Sequence, residues 1–345
     1  MLGANPRHSE DHEGAEWDAA LERLGGDLLQ SWRWGEFKQR QGWVVTRLQT
    51  VESTGSAMAQ VLVRRAGPLR LAYLPRGPVV ADSETEATEL LEAIDEVCAQ
   101  HRAAILYVEP DQHIPTAWIG EGSRFARGPE SFQTARTVKV PLLDDEALYT
   151  QMRKDTRANL RHAERRGVVV EHWAHSSSEI HTFYELLRET SRRNGFGIHS
   201  LSYYTDFLHV FGDQATLMFT RLDGVVTAAL IAARCGVEGR SMYAGSSTAH
   251  RSRGDTALLR FEAMRWARAH GCSVFDLGGI GGEPPTADSR RDHHSDDLHG
   301  LRQFKLGFGG EVVSYPPTLE RRYRPAVAWL IRHVHPRFRP APETS

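Results

Sequence analysis

One lysine stands in a sequence context that suits acyl transfer to an amine. Lys305 follows the aromatic Phe304 and precedes a glycine-rich segment, GFGG, where the backbone can approach a substrate closely. When an amine attacks an ester, the tetrahedral intermediate carries a new negative charge, and a preorganised cation or donor beside it stabilises that charge. We therefore predict that Lys305 is catalytic; the alternative is a surface lysine in a strand.

Asp276 is the protein's candidate for the proton transfer that such a reaction requires. It lies in the predicted buried strand CSVFDLGGI. The attacking amine must lose a proton, which a substrate group or this carboxylate can accept. The alternative is a structural carboxylate at the end of a strand. The chain has no GxSxG nucleophile motif, and direct transfer requires none.

Two further features can bind anionic groups. Lys38 lies beside the aromatic residues of a short predicted helix and can hold an anion; the alternative is a surface helix lysine. A later helix carries a strip of cations that suits a phosphate backbone, and the alternative there is a solvated helix face. The cations proposed to bind RNA are Arg153, Lys154, Arg157 and Arg161.

Two other patterns are weaker. RSRGDT partly matches the R/Q-x-x-G-x-G/A loop that cradles the pyrophosphate of coenzyme A at a helix N-terminus: Arg251 and Gly254 match, but Thr256 does not. The insert EPPTADSRRDHHSDDLHG contains several histidines and aspartates, but its composition is typical of a flexible loop. We predict no metal site and no cofactor.

Composition limits the classes of protein that fit. The 345 residues suggest two domains, and a formal net charge of -2 argues against a protein that coats nucleic acid. Three cysteines without a CxxC pair fit a reducing cytosol. The polar N-terminus is not a secretion signal, and no apolar run reaches the ~18 residues of a membrane span. We expect a cytoplasmic protein.

The elements after the basic helix are predicted in the order helix, helix, hairpin, strand, helix, strand. Asp223-Gly224 marks the hairpin turn. This order is that of an N-acyltransferase fold of the acetyltransferase type, in the α/β (α+β) class.

The sequence resembles the FemABX family of aminoacyltransferases. The matching segments occur in the family's order between about Gln30 and Val313. They are SWRWGEFKQRQGW, YLPRGPVV, RANLRHAERRGV, RRNGFGIHSLSYY, YAGSS, LLRFEAMRWARAHGC, FDLGGI and HGLRQFKLGFGGEVV.

The resemblance implies two acetyltransferase-like (GNAT-type) domains with mixed sheets flanked by helices, and no long coiled-coil arm. The first domain is expected at 17–147 and is completed by 313–335, and the second is expected at 148–312. We expect residues 1–16 to be disordered and 336–345 to form a flexible tail.

The resemblance also implies roles for individual residues. Those that match precursor-binding positions are Lys38, His199, Tyr203 and Tyr243. His199 stands where the family can have an arginine. Phe304 and Lys305 match a pair near the aminoacyl ester, with Phe304 on the substrate-binding side.

The implied activity is transfer of an amino acid from aminoacyl-tRNA to the peptide stem of a UDP-linked or lipid-linked peptidoglycan precursor. We expect a monomer, with peripheral contact at the inner face of the membrane through the basic C-terminal segment. The alternative for that segment is a helix packed on the first domain. Two other functions stay open: a GNAT-like N-acyltransferase acting on a small-molecule amine, and a catalytically idle protein that binds RNA or precursor.

Overall fold

The computed structural model describes residues 6–50, 57–66, 69–81, 83–111, 114–119, 122–129, 132–250, 254–281 and 293–334. The chain divides into two compact units. The first unit runs to Gln133 and resumes at Tyr315, and the second is Thr134–Ser314. The predicted flexible tail at 336–345 lies outside the described residues.

The secondary structure alternates between helices and strands along the chain. The helices are α1 (Pro6–Arg23), α2 (Trp32–Arg40), α3 (Glu84–Gln100), α4 (Thr116–Ile119), α5 (Asp145–Gln151), α6 (Lys154–Arg165), α7 (Ser177–Asn194), α8 (Leu201–Phe211), α9 (Asp255–Ala269), α10 (His293–Leu306) and α11 (Pro325–Val334). The strands are β1 (Val44–Gln49), β2 (Ala57–Ala66), β3 (Leu69–Pro75), β4 (Val79–Val80), β5 (Ile105–Glu109), β6 (Phe125–Arg127), β7 (Arg136–Pro141), β8 (Val169–His172), β9 (Ala215–Leu222), β10 (Val225–Cys235), β11 (Glu238–Ser246), β12 (Val274–Gly279), β13 (Glu311–Ser314) and β14 (Leu319–Arg322).

The first unit contains a mixed sheet in the order β1-β2-β3-β5-β14-β6, with β4 paired to β2. Strands β3 and β5 are parallel, and β14 is antiparallel to both β5 and β6. The apolar face of α3, which includes Leu90, Ile94 and Cys98, packs on this sheet, as its helical spacing predicts. The segment after the second unit therefore completes the first sheet.

The N-terminal helix corrects the expectation of disorder over residues 1–16. Residues 1–5 lie outside the described part of the chain, but α1 begins at Pro6. Trp17 and Leu21 are buried, and the Trp17 indole nitrogen donates to the Gln30 carbonyl at 2.8 Å. Once tertiary contacts hold these turns, extending the helix toward the N-terminus costs little, because nucleation is the unfavourable step. The polarity of the N-terminal residues therefore led to a wrong prediction of where the first helix begins.

The second unit contains the sheet β13-β7-β12-β11-β10-β9-β8. Strands β11 and β12 are parallel, while β9 and β10 form the hairpin predicted at Asp223-Gly224. Both turn residues have positive φ, as a tight hairpin turn requires. Helices α5, α6 and α9 share one hydrophobic core with this sheet. Ala244 packs against that core, whereas its neighbour Gly245 approaches the backbone of α7, so helices cover both faces of the sheet.

The strand β7 corrects the expected domain boundaries. The sequence placed it in a first domain ending at 147, but β7 lies between β12 and β13 in the second sheet. Strand β13 belongs to the same sheet, although the boundary at 312/313 cuts through it. The chain therefore passes from the first unit to the second between Gln133 and Thr134, and it returns to the first unit between Ser314 and Tyr315. A single strand can be buried equally well in either sheet, so its composition does not identify its partners.

The lengths of the described helices agree with the expectation that the chain has no long coiled-coil arm. Among the described residues the longest helices, α1 and α7, have 18 residues each, so this part of the chain holds no long coiled-coil arm. None of the described helices is long and apolar enough to cross a membrane.

The start of α9 packs tightly on α6. Gly254 precedes α9 with φ of +91°, and a Cβ built there would lie 2.1 Å from the carbonyl oxygen of Asn159. Gly271, just after α9, has a similar φ of +87°, but a Cβ there would meet nothing within 4 Å.

These two glycines form a matched pair for measuring the packing of α6 on α9. Gly271→Ala should destabilise the second unit by about 1–2 kcal/mol through left-handed backbone strain alone. Gly254→Ala should cost roughly 1–3 kcal/mol more, because the new methyl group forces the two helices apart. Urea unfolding followed by circular dichroism measures both changes. Equal losses for the two variants would contradict the close packing.

Candidate active site

The predicted catalytic lysine is buried in the last turn of a helix. Lys305 lies in α10, not in a strand as the alternative interpretation assumed, and its side chain is 0% exposed. Its Nζ donates to the carbonyl oxygen of Gly279 at 2.8 Å. The glycines after Leu306 end the helix, and Gly309 has a positive φ. The glycine-rich segment is therefore a helix terminus, which local sequence periodicity did not reveal.

Burial changes the acid–base chemistry of Lys305. Desolvation, together with the nearby cation Arg260, lowers its pKa to about 7, and Asp276 opposes this shift. Burial disfavours the charged ammonium because a low-dielectric interior solvates it poorly. Near neutral pH the amine therefore exists in both protonation states, which is the condition for a group that exchanges protons with a substrate.

Asp276 is held by two hydrogen-bond donors and by an ion pair. Its Oδ1 accepts hydrogen bonds from the Thr137 hydroxyl and, at 2.7 Å, from the Gly278 amide, while Oδ2 lies 3.4 Å from Nε of Arg240. Gly278 has a positive φ, so this contact fixes a left-handed turn next to Gly279. The carboxylate thereby fixes the backbone turn next to the carbonyl that binds Lys305.

The parallel strands β11 and β12 bring two groups of predicted residues to one sheet edge. Their register ends at Arg240↔Asp276, and both strands continue beyond it. Tyr243 follows Arg240 by three residues, as Gly279 follows Asp276, and both strands run in the same direction. Tyr243 and the Lys305–Gly279 contact therefore lie toward the carboxyl ends of these two neighbouring strands. In open α/β sheets, ligands bind at the carboxyl ends of the strands.

The predicted precursor-binding residues of the second unit form one aromatic cluster. The His199 ring stacks on Tyr203 with 3.8 Å between centroids and 15° between planes. The hydroxyl oxygens of Tyr203 and Tyr243 lie 3.4 Å apart, and both side chains are buried. Helix α8 and strand β11 thus bring together His199, Tyr203 and Tyr243. Whether they contact a ligand stays a prediction.

Sequence reasoning missed Arg260, which lies beside the lysine. It is 6% exposed in α9, and its guanidinium carbon lies 5.1 Å from the centroid of the Phe304 ring. Phe304 packs at the edge of the core and makes an edge contact with Phe308. A signal was present, because Ala257, Arg260, Met264 and Ala267 follow the spacing of one buried helix face.

The composition also distinguishes Lys305. Only four lysines occur among 42 lysines and arginines, and they are Lys38, Lys139, Lys154 and Lys305. Arginine stays charged at every physiological pH, whereas a buried lysine can lose its proton. A chain that otherwise relies on arginine keeps lysine at this buried position, as a titrating group requires.

Lys38 lies in the first unit, in the last turn of α2. Its Nζ is 4.2 Å from the centroid of the Trp34 ring and 5.1 Å from that of Phe37. The ammonium is half-buried and held over an aromatic surface, as expected for a cation–π contact. Its contact with an anionic substrate group stays a prediction.

The predicted RNA-binding strip lies at α6, but its cations differ in setting. Arg153 precedes the helix and binds Gln303 Oε1 at 2.7 Å, and Arg157 donates to the carbonyls of Thr150 and Met152. Lys154 and Arg161 are exposed. Arg157 therefore helps to hold the turn between α5 and α6, which leaves the exposed cations as the better candidates for a phosphate backbone.

The start of α9 is a poor site for a pyrophosphate. Asp255 is buried at the first position of this helix, and its carboxylate accepts from the amide of Thr256 at 2.6 Å. A helix N-terminus attracts anions through its free amides and dipole. Here one amide is occupied, a negative charge is already present, and the carbonyl of Asn159 crowds Gly254.

The histidine side chains of the polar insert lie outside the part of the chain that the structure describes. Residues 282–292 and the side chains of 293–299 lie outside the described part of the chain. Elsewhere, in the described residues, no cluster of histidine, cysteine and carboxylate side chains has the geometry of a metal site.

Two mixed sheets in acetyltransferase order define a protein of the tandem acetyltransferase-type class. A sequence model of the FemAB family matches residues 118–226 and 223–335, which is more than half of the chain. The chain belongs to the FemAB family, so the resemblance seen in its motifs is confirmed.

Similar proteins extend over nearly the whole chain. The lipid II:glycine glycyltransferase of Staphylococcus aureus is 23% identical and aligns with 91% of this chain and 92% of its own. The solved structure of FemX has 20% identity and a TM-score of 0.79, and the match covers 93% of this chain and 98% of FemX. A tandem GNAT protein from the clavulanic acid biosynthesis pathway has 11% identity and a TM-score of 0.52, over 81% and 83% of the two chains. These structures share the fold.

Burial of Lys305 predicts a pH-dependent stability. Its pKa is about 7 when folded and about 10.4 in an unfolded chain, so between these values the unfolded state binds more protons. Folding stability is therefore lost as pH falls from about 10.4 to about 7, by at most about 1.4 kcal/mol per pH unit. The free energy of unfolding of Lys305→Met lacks this pH dependence. The variant should therefore be more stable than the wild type, and the difference should be largest near pH 7.

Urea unfolding of wild type and Lys305→Met between about pH 7 and 9 measures this difference. Lys154→Met, which removes an exposed lysine, is the control for loss of a lysine as such. A difference between wild type and Lys305→Met that stays constant with pH would show that the buried amine does not titrate in this range.

Proposed function

We propose that this protein transfers an amino acid from aminoacyl-tRNA to the peptide-stem amine of a lipid-linked peptidoglycan precursor. The observation that carries the proposal is the buried amine of Lys305, bound to Gly279 at the carboxyl edge of an acyltransferase-type sheet. A relative that aligns over 91% of the chain is named a lipid II:glycine glycyltransferase, which favours a lipid-linked acceptor over a UDP-linked one.

The site contains the groups that aminolysis of an ester requires. The attacking amine forms the new C–N bond while negative charge develops on the ester carbonyl oxygen, and a positioned donor lowers that barrier. Lys305 is the group proposed to act there, with Phe304 beside the aminoacyl ester. The two hydrogen bonds and the ion pair that hold Asp276 favour its structural role over that of a general base.

The donor and the acceptor are assigned to separate groups of residues. The exposed cations of α6, with Lys154 and Arg161 foremost, suit the phosphates of a tRNA. The cluster of His199, Tyr203 and Tyr243 offers aromatic surface and hydroxyl groups to the precursor. Lys38 offers an ammonium to its phosphate–sugar part.

Transfer from acyl-CoA is the less favoured alternative. In acetyltransferases the coenzyme's pyrophosphate binds at a helix N-terminus, and here the buried carboxylate of Asp255 lies at that position. Like charges at this site would repel each other in a poorly solvated setting.

A peripheral membrane contact also belongs to this proposal. Ala328 and Ile331 of α11 pack into the core of the first unit, which agrees with the packed-helix alternative for this segment. Trp329, between them, is 59% exposed. Exposed tryptophan next to basic sequence is typical of contact with an anionic membrane surface.

Reconstitution tests the transfer directly. We expect the protein, mixed with pools of charged tRNA and a lipid-linked muropeptide in detergent, to add an amino acid to the stem, as detected by mass. A UDP-linked muropeptide in a parallel reaction distinguishes the two acceptors. Product formed with an acyl-CoA but with no charged tRNA would establish the alternative, and binding without any product would indicate an idle binder.

Lys305→Met provides the site-specific arm of this experiment. Methionine has a similar volume, so turnover should fall at least ~100-fold through loss of the amine alone. The Kd of the precursor, measured by calorimetry, should change less than about twofold, because the proposed role lies in the transition state. Equal loss of binding with unchanged turnover of bound precursor would refute the catalytic role.

The strip on α6 has its own test. Replacing both Lys154 and Arg161 with glutamine should raise the KM for aminoacyl-tRNA roughly tenfold, and should lower the slope of log K against log salt by about 2. Arg192→Gln, at an exposed arginine on α7, is the matched control. An unchanged salt slope in the double variant would place the tRNA elsewhere.

A further inference from the structure

Arg260 is a buried cation with few partners. Its Nη1 donates to the Thr256 carbonyl at 3.4 Å, and its Nε finds no hydrogen-bond acceptor in the described part of the chain. The described residues also place no carboxylate within 4 Å of it. Its remaining contact is the face of Phe304 at 5.1 Å. An arginine buried in this way is costly to folding, so packing alone does not explain its presence.

The groups that face Lys305 come from several elements. Arg260 faces it from α9 and Asp276 from β12. The Asp276 carboxylate is itself paired with Arg240 of β11, which reduces its capacity to hold a second cation. On α10, Gln303 binds Arg153 from the start of α6. Arg260 therefore acts on the amine as a like charge, and Asp276, which opposes it, is shared with Arg240.

Of the two neighbouring basic groups, Arg260 keeps its charge. Burial lowers the pKa of Arg260 to about 10, while Lys305 has a pKa of about 7. Two like charges in one low-dielectric site repel each other, and the weaker base loses its proton first. The lysine is the weaker base here.

We propose that Arg260 is a positioning residue for the transfer: its guanidinium, buried over Phe304, adds to the desolvation of Lys305 in favouring the uncharged amine, which can take the proton of the attacking nucleophile. This inference rests on the proposed function, because it gives Lys305, proposed there as the donor to the carbonyl oxygen, the further task of accepting that proton. Phe304 gains a second role in this proposal, because its ring contacts Arg260 and the residue directly precedes Lys305 in the chain.

Every proton that moves in the reaction passes between the substrates and Lys305. The neutral stem amine attacks the ester carbonyl carbon and forms the C–N bond, and its nitrogen then gives a proton to Lys305 Nζ. The C–O bond to the ribose breaks as the intermediate collapses. The leaving ribose oxygen takes the proton from the lysine ammonium. The products are an amide and a ribose hydroxyl, and Lys305 is again uncharged.

Titration of the lysines tests the electrostatic part without any substrate. Because the chain has four lysines, protein labelled with ¹³Cε-lysine gives four signals, and Lys305→Arg assigns one of them. In wild type this signal should titrate near pH 7. In Arg260→Met its midpoint should rise by about one pH unit. Arg260→Lys, which keeps the cation, should stay near the wild-type midpoint.

The pH profile of kcat tests the catalytic part. If uncharged Lys305 is the base, the acid limb of the profile should follow the lysine midpoint in each variant. A midpoint raised by about one unit lowers the uncharged fraction at pH 7, and hence kcat, about fivefold, with recovery at higher pH. Arg265→Met is the control on the same helix, because Arg265 is paired with Asp145 and Glu262 at the surface.

The two experiments separate the two proposals. A lysine midpoint that is unchanged in Arg260→Met, or that lies near 10 in wild type, overturns the role of Arg260 whatever the reaction is. A kcat that falls equally at all pH values in a folded Arg260→Met also overturns it, because that indicates a structural role. If no transfer occurs with any charged tRNA while the titration behaves as expected, the proposed function fails and the electrostatic coupling stands.

Discussion

The second unit is arranged around an amine that is kept away from water. Lys305 is wholly buried, and its Nζ donates a hydrogen bond to the Gly279 carbonyl, which can accept that bond from the amine in either charge state. A surface lysine is a permanent cation near neutral pH, whereas this one is poised between two forms. The fold supplies the desolvation, and the lowered pKa of the amine follows from it. The unit therefore gives up folding stability to obtain a group that can exchange protons.

The surrounding elements each keep that amine in place. The parallel strands β11 and β12 separate after Arg240↔Asp276, so the carbonyl of Gly279 lies at a strand end and can accept from a side chain. Asp276 fixes the adjacent turn through the Gly278 amide. Close packing of α6 on the start of α9 crowds the position where an acetyltransferase would hold pyrophosphate. The start of α9 therefore offers little room for a pyrophosphate in this scaffold.

Local signals in the sequence predicted local structure well. The hairpin at Asp223-Gly224 and the buried face of α3 follow from turn chemistry and helical spacing, which neighbouring residues determine. The partners of β7 and the burial of Lys305 depend on residues far along the chain, so periodicity did not reveal them. The motifs identified the family and the lysine. They missed Arg260, because a cation on an apolar helix face is conspicuous only once that face is known to be buried.

The position of β14 has a consequence for how the protein is made. This strand lies inside the first sheet, between β5 and β6, yet in the chain it follows the whole of the second unit. During synthesis the first unit has an unfilled place in its sheet until the inserted second unit has emerged. Domains usually fold from the N-terminus as they appear. In this chain the inserted unit can finish first, and the segment that follows it then supplies the strand that completes the first sheet.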